Sequence, residues 1–140
     1  MKFSESMLRL YAVTDRSWTG RQTLLEQVES ALKGGATCVQ LREKKLDFDA
    51  FLAEAVELKA LCGRYGVPLI INDNVEVALE SGADGVHVGI EDAPVAAIRK
   101  FVDEQNIPTT IMYDMAHVLG LVGDHFQKPF EEGAEIVTGS

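Results

Sequence analysis

Nothing limits the possible folds of this 140-residue chain more than the way its apolar residues recur. Short runs rich in β-branched residues alternate with stretches whose apolar positions fall at helical spacing. The first run covers residues 8–15 and ends in a polar turn. Thr23-Leu24-Leu25-Glu26 then has the form of a helix capping box, and the helix it opens should stop at Gly34-Gly35 after Lys33. Residues 37–42 form the next strand. From Asp47 onward Phe51, Leu52, Ala55, Val56, Leu58 and Cys62 keep helical spacing until Gly66-Val67-Pro68 breaks it ahead of a strand at 69–72. A shorter helix over 75–80 and a strand over 85–89 repeat the unit. Residues 94–104 read as helix, and 109–113 and 135–138 as strands.

Such alternation belongs to a parallel sheet covered by helices, so the fold class is α/β and the expected organisation is a single domain over 1–140. Periodicity alone does not separate an open sheet from a barrel. About six strands are visible where a closed eight-stranded barrel needs eight, so a barrel of this kind would be incomplete. No Gly-rich dinucleotide fingerprint follows the first strand and no Walker loop occurs, which weighs against a nucleotide-binding open sheet.

Charge narrows the partners. The 22 acidic against 13 basic residues give a formal charge of -9, which repels nucleic acid and anionic lipid. No apolar run has the length of a membrane span, and the first residues lack the apolar core of a secretory signal, so a cytoplasmic protein acting on small molecules is expected. In that compartment Cys38 and Cys62 are expected as reduced thiols, with no Cys or His nearby at metal-ligand spacing.

Polar residues gather where the strands end. Gln40, Arg42 and Lys44 share one face if the strand continues, while Leu41 and Glu43 share the other. Two cations beside an amide suit an oxyanion-rich group such as pyrophosphate; the run Arg42, Glu43, Lys44, Lys45 equally fits a solvated charged loop. Asn72-Asp73-Asn74 closes the next strand, either as ligands or as the start of the helix at Val75. Asp92 closes the one after, either as a carboxylate for a hard cation or as a helix cap before Pro94. Three successive strands thus deliver polar clusters at one end, where ligands bind in parallel α/β folds.

Four collinear motifs carry a resemblance: residues 10–15 (Leu-Tyr-Ala-Val-Thr-Asp), 34–44 (Gly-Gly-Ala-Thr-Cys-Val-Gln-Leu-Arg-Glu-Lys), 71–79 (Ile-Asn-Asp-Asn-Val-Glu-Val-Ala-Leu) and 82–89 (Gly-Ala-Asp-Gly-Val-His-Val-Gly). From about Leu8 to Lys100 the chain resembles thiamine-phosphate synthase. The resemblance implies a TIM barrel that couples hydroxymethylpyrimidine diphosphate to thiazole phosphate, releasing pyrophosphate with Mg²⁺ bound. It implies that Gln40, Arg42, Glu43, Lys44 and Asn72 contact substrate and that Asp73 and Asp92 hold Mg²⁺. A related thiazole tautomerase shares the barrel. Ile90 stands where the family usually carries Gln, and beyond Lys100 the family's later phosphate-binding segments are not found.

Residues 107–122 and 134–140 instead resemble the central part of serine hydroxymethyltransferase, which implies pairing of Asp114 with the pyridinium nitrogen of pyridoxal phosphate and a nearby role for His117. The Schiff-base Lys of that family is absent from this chain. The expectation is therefore a truncated or chimeric synthase of impaired activity with a change of family near 100–107. The alternatives are a pyridoxal-phosphate-dependent fragment, or a non-catalytic tautomerase-like or interaction protein whose open sheet edges recruit another chain into an oligomer.

Overall fold

Six strands, β1 (Tyr11–Val13), β2 (Cys38–Leu41), β3 (Leu69–Asn72), β4 (Gly85–Gly89), β5 (Thr110–Asp114) and β6 (Ile136–Thr138), form one sheet in chain order with every neighbouring pair parallel. Among the described residues, four helices, α1 (Leu24–Lys33), α2 (Phe48–Arg64), α3 (Val75–Ser81) and α4 (Val95–Glu104), follow the first four strands in turn. The computed structural model describes residues 3–89, 94–114, 131 and 133–138. The result is an α/β half-barrel, of the class that the alternation of strands and helices indicates. No helix among the described residues is long and apolar enough to cross a membrane.

Strand period two divides the sheet into two faces of different chemistry. Val39, Leu41, Leu69, Ile71, Val86, Val88 and Ile111 point outward and pack with Leu24, Val28, Phe51, Leu58, Leu61, Val77, Ile98 and Val102 from the helices into the main core. The inner face is layered. Cys38, Ile70 and Met112 are buried there with Phe3, Tyr11 and Ile136 against them, which floors the half-barrel with apolar groups. One step further along each strand the same face carries Gln40, Asn72, His87 and Asp114, so its polarity rises toward the carboxyl ends. Both cysteines are free and buried, and burial raises their thiols to about 12 for Cys38 and about 11 for Cys62. They remain protonated and weakly nucleophilic at neutral pH.

Three of the helix starts expected from the sequence are capped. Thr23, Asp47 and Asn74 each accept a hydrogen bond from a backbone N–H three residues on, at Glu26, Ala50 and Val77. The first strand departs from the expected start at Leu8. A 3-10 turn occupies Glu5–Leu8, with Leu8 and Leu10 exposed, and pairing begins only at Tyr11, where Cys38 is opposite.

Gly85 illustrates how tightly the inner layer closes. A Cβ there would lie 2.8 Å from the Thr110 carbonyl oxygen and 2.8 Å from Ile70 Cδ1. The Thr110 oxygen belongs to a paired strand and has no rotamer by which to retreat. Gly85→Ala is expected to lower the urea midpoint at unchanged m-value by the equivalent of about 1–3 kcal/mol, the usual cost of overpacking.

Candidate active site

A cleft of about 820 Å³ opens at the carboxyl ends of the strands. Each strand from β1 to β5 contributes to its wall: Tyr11, Gln40, Asn72, His87 and Gly89, and Met112 and Asp114. Arg42 and Lys44, just beyond β2, and Asp73, just beyond β3, complete the polar rim. The parallel register sets side by side the strand ends that carry Gln40, Arg42, Lys44, Asn72 and Asp73.

Inside the cleft the amides are held in fixed orientations. Gln40 Nε2 donates to the Tyr11 hydroxyl at 2.6 Å, and that hydroxyl donates to Met112 Sδ at 3.3 Å. Burial pushes the Tyr11 phenol well above its usual value, with the Gln40 hydrogen bond a smaller opposing influence, so Tyr11 stays neutral. Asn72 Oδ1 lies 3.0 Å from His87 Nδ1. Gln40 and Asn72 are 5% and 6% exposed, so each amide is oriented before any ligand arrives.

The rim is charged and less buried. Lys44 Nζ donates to Asp73 Oδ2 at 2.6 Å, with the two side chains 53% and 41% exposed. Exposed pairs of this kind contribute about 0.2–1 kcal/mol, so either partner can turn to a ligand at small cost. Asp73 itself adopts φ 69, a left-handed conformation that Asp tolerates better than most residues, while its N–H donates to the His87 carbonyl at 2.8 Å. Backbone conformations of this kind cluster where side chains are aimed at ligands. The Arg42 N–H donates to Thr14 Oγ1 at 3.0 Å, which ties the segment after β2 to the end of β1.

Glu43 turns to the other side of the segment. Its carboxylate accepts from Arg16 Nε at 2.8 Å and its side chain is 4% exposed, so it lies apart from the cleft wall formed by Gln40, Arg42 and Lys44. It borders a smaller neighbouring hollow with Asn72, Asp73 and Asn74. Asp92, with Ile90, and His117 lie outside the described residues. Asp114, read from the sequence as a cofactor partner in a different family, is the last residue of β5 and lines the same cleft as Arg42. Tyr11, His87 and Met112 also line it without having been singled out in the sequence. The period-two pattern of 85–89 was the available signal for His87, because it puts that residue on the face of Asn72.

Comparison with known proteins assigns the ancestry. The family model described as thiamine monophosphate synthase matches residues 10–120. A thiamine-phosphate synthase of Albidiferax ferrireducens is 52% identical over 95 residues, covering 68% of this chain and 43% of that protein. Another, from Caldanaerobacter subterraneus, is 38% identical over 137 residues, covering 91% and 64%. A solved thiamine phosphate pyrophosphorylase from Pyrococcus furiosus superposes with a TM-score of 0.82 at 27% identity, covering 96% of this chain and 60% of that one. The chain therefore spans between about two fifths and two thirds of the length of these three proteins. The expected change of family near 100–107 is not supported: the family model runs through it to residue 120, and nothing in these matches points to a serine hydroxymethyltransferase-like tail. With the motifs of β1 to β4, the parallel half-barrel and a family match over most of its length all in agreement, the chain belongs to the thiamine monophosphate synthase family.

Proposed function

We propose that the cleft is the diphosphate-binding part of a thiamine-phosphate synthase site, at which hydroxymethylpyrimidine diphosphate is joined to thiazole phosphate with release of pyrophosphate. The observation that supports it best is the convergence of Arg42 and Lys44 with the oriented amides of Gln40 and Asn72 at one strand end. Two small-molecule substrates, rather than a macromolecule, fit a concave site of this size.

In this reading Arg42 and Lys44 stabilise the negative charge that grows on the departing pyrophosphate, the interaction that strengthens from ground state to transition state. Arg42 offers a planar fork to two oxygens, whereas Lys44 acts as a point charge that leaves Asp73 when the diphosphate enters. Gln40, held by Tyr11, meets the pyrimidine edge, and Asn72, held against His87, meets the diphosphate side. The apolar floor of Ile70 and Met112 keeps water from beneath the reacting carbon.

Mg²⁺ is the cofactor of this proposal, with Asp73 and Asp92 as its carboxylates. The donor chemistry fits. Among the described residues, Asp73 presents an accessible carboxylate paired with an exposed ammonium group. Mg²⁺ takes one or two carboxylates and completes its shell with water and substrate phosphate, so a sparse donor set suits it. When bound it supplies neutralisation of the phosphate oxygens.

Calorimetry tests the proposal. Pyrophosphate should bind the folded chain, and Mg²⁺ should tighten that binding in the wild type but not in Asp73→Ala. Chromatographic detection of thiamine phosphate from both precursors then reports on the transfer itself. A folded sample that binds no pyrophosphate with or without Mg²⁺ would overturn the reading.

A further inference from the structure

Behind the cleft rim lies a cluster that the reaction just described does not use. Arg16, in the 3-10 turn Arg16–Trp18 after β1, donates from Nε to Glu43 at 2.8 Å and from its terminal nitrogen to Glu54 Oε2 on α2. Three separate elements meet there: the turn after β1, the segment between β2 and α2, and the second turn of α2 itself. Glu43 is flanked in sequence by Arg42 and Lys44, the two cations of the rim.

The carboxyl groups are unusual for their enclosure. The side chain of Glu43 is 4% exposed and that of Glu54 17%, while a single guanidinium serves both. Glu54 Oε1 is buried and meets no donor among the described residues. Two enclosed carboxylates sharing one cation leave one charge uncompensated, and a proton held between them removes that charge while providing the missing hydrogen bond.

We propose that Glu54 is a positioning residue: through Arg16 and Glu43 it braces the segment that carries Arg42 and Lys44, and its protonated form holds that segment in the geometry that receives a diphosphate. The inference rests on the reading of the cleft as a diphosphate site. The groups that act on Glu54 are Arg16 from the turn after β1, Glu43 from the segment after β2 and Glu57 from α2. Together with burial they raise its carboxyl to about 7: burial is the largest influence, hydrogen bonding to and repulsion from Glu43 come next, Arg16 lowers it and Glu57 raises it. Near neutral pH the brace therefore changes charge. Below about 7 one proton, two carboxyl groups and the guanidinium make a neutral set. Above it the set carries a net negative charge, and repulsion between Glu43 and Glu54 loosens the segment on which Arg42 and Lys44 ride.

The test is the affinity of inorganic pyrophosphate by calorimetry between pH 6 and 8.5 for the wild type, Glu54→Gln and Arg42→Ala. Pyrophosphate itself titrates in this range, so the informative quantity is the ratio of wild-type to Glu54→Gln affinity at each pH. That ratio should be near one at pH 6, because glutamine mimics the protonated acid, and should fall several-fold by pH 8.5. Carbon-13 titration of the wild-type glutamate carboxyls, which needs no variant, should show one group titrating near 7 in step with the backbone amide shifts of Arg42 and Lys44. Thermal unfolding gives a third readout. A carboxyl raised in the folded state contributes stability that is present below its ordinary value of 4.5 and is lost as pH rises through about 7, so the wild type should lose stability over that window relative to Glu54→Gln. Pyrophosphate binding that Arg42→Ala weakens, but whose wild-type to Glu54→Gln ratio stays flat with pH, overturns this inference and leaves the cleft reading standing. Absence of pyrophosphate binding at every pH removes both.

Discussion

Replacing Asp84 by Ala should destabilise the fold by about 3 kcal/mol, a drop of about 10 °C in melting temperature for a chain of this length. Asp84, just before β4, is 8% exposed and is tied to three other elements at once. Lys59 Nζ on α2 donates to both its carboxylate oxygens at 2.9 Å, and the Leu69 N–H at the start of β3 donates to Oδ2 at 2.8 Å. Its own N–H donates to the Leu69 carbonyl at 2.9 Å, and its carbonyl accepts from the Thr110 N–H of β5 at 3.1 Å. Removal of the carboxylate leaves the Leu69 N–H without this acceptor beneath a helix, and takes the counter-ion from Lys59. The loss falls toward the lower end of that for a broken buried pair, because the Lys59 side chain is 31% exposed and can turn partly to water. Asp84→Asn keeps an acceptor for Leu69 but no charge, so it should lie between the two. Urea unfolding followed by circular dichroism measures all three; an Asp84→Ala midpoint equal to wild type would show that the contacts are dispensable.

Arg42→Ala should weaken pyrophosphate binding by one to two orders of magnitude, since a hydrogen bond to a charged group is worth roughly 1.5–3 kcal/mol. The side chain of Arg42 is exposed at the cleft rim, while its backbone is fixed by the Thr14 hydroxyl, so truncation removes the guanidinium without loosening the strand end. Arg42→Lys should recover only part of the loss, because an ammonium group cannot reproduce bidentate contact with two phosphate oxygens. Stability should change little, which separates this substitution from Asp84→Ala. Equal affinity for wild type and Arg42→Ala by calorimetry at matched ionic strength would remove Arg42 from the site.

Most of the architecture was legible in the chain because local rules and tertiary packing agree. The helix starts at Thr23, Asp47 and Asn74 stand where the sequence puts them, and the runs 69–72 and 85–89 are β3 and β4 residue for residue. The start of β1 was misjudged, because Leu8 and Leu10 look like strand residues. A strand exists only where a partner strand supplies hydrogen bonds, and Cys38 meets Tyr11 rather than Leu8. The reading of the tail lacks support for a related reason. The motif around Asp114 resembles another family over a short span, but its place in the fold, opposite Gly89 on the neighbouring strand, makes it part of the same cleft.

The sequence by itself determined the α/β class and the order of the strands' polar clusters, because alternation and capping are properties of a few neighbouring residues; the strand that would have carried Arg42 and Lys44 on the face of Gln40 ends at Leu41. Tertiary structure alone decided which side chains meet. Glu43 is adjacent to Arg42 in sequence, yet beyond the end of β2 it turns away from the cleft to a guanidinium 27 residues earlier and, through that group, to Glu54 on α2. Lys44 reaches Asp73 and Gln40 reaches Tyr11 only because parallel strands align their carboxyl ends. Pairing across such distances depends on register and burial, which no local pattern of residues encodes.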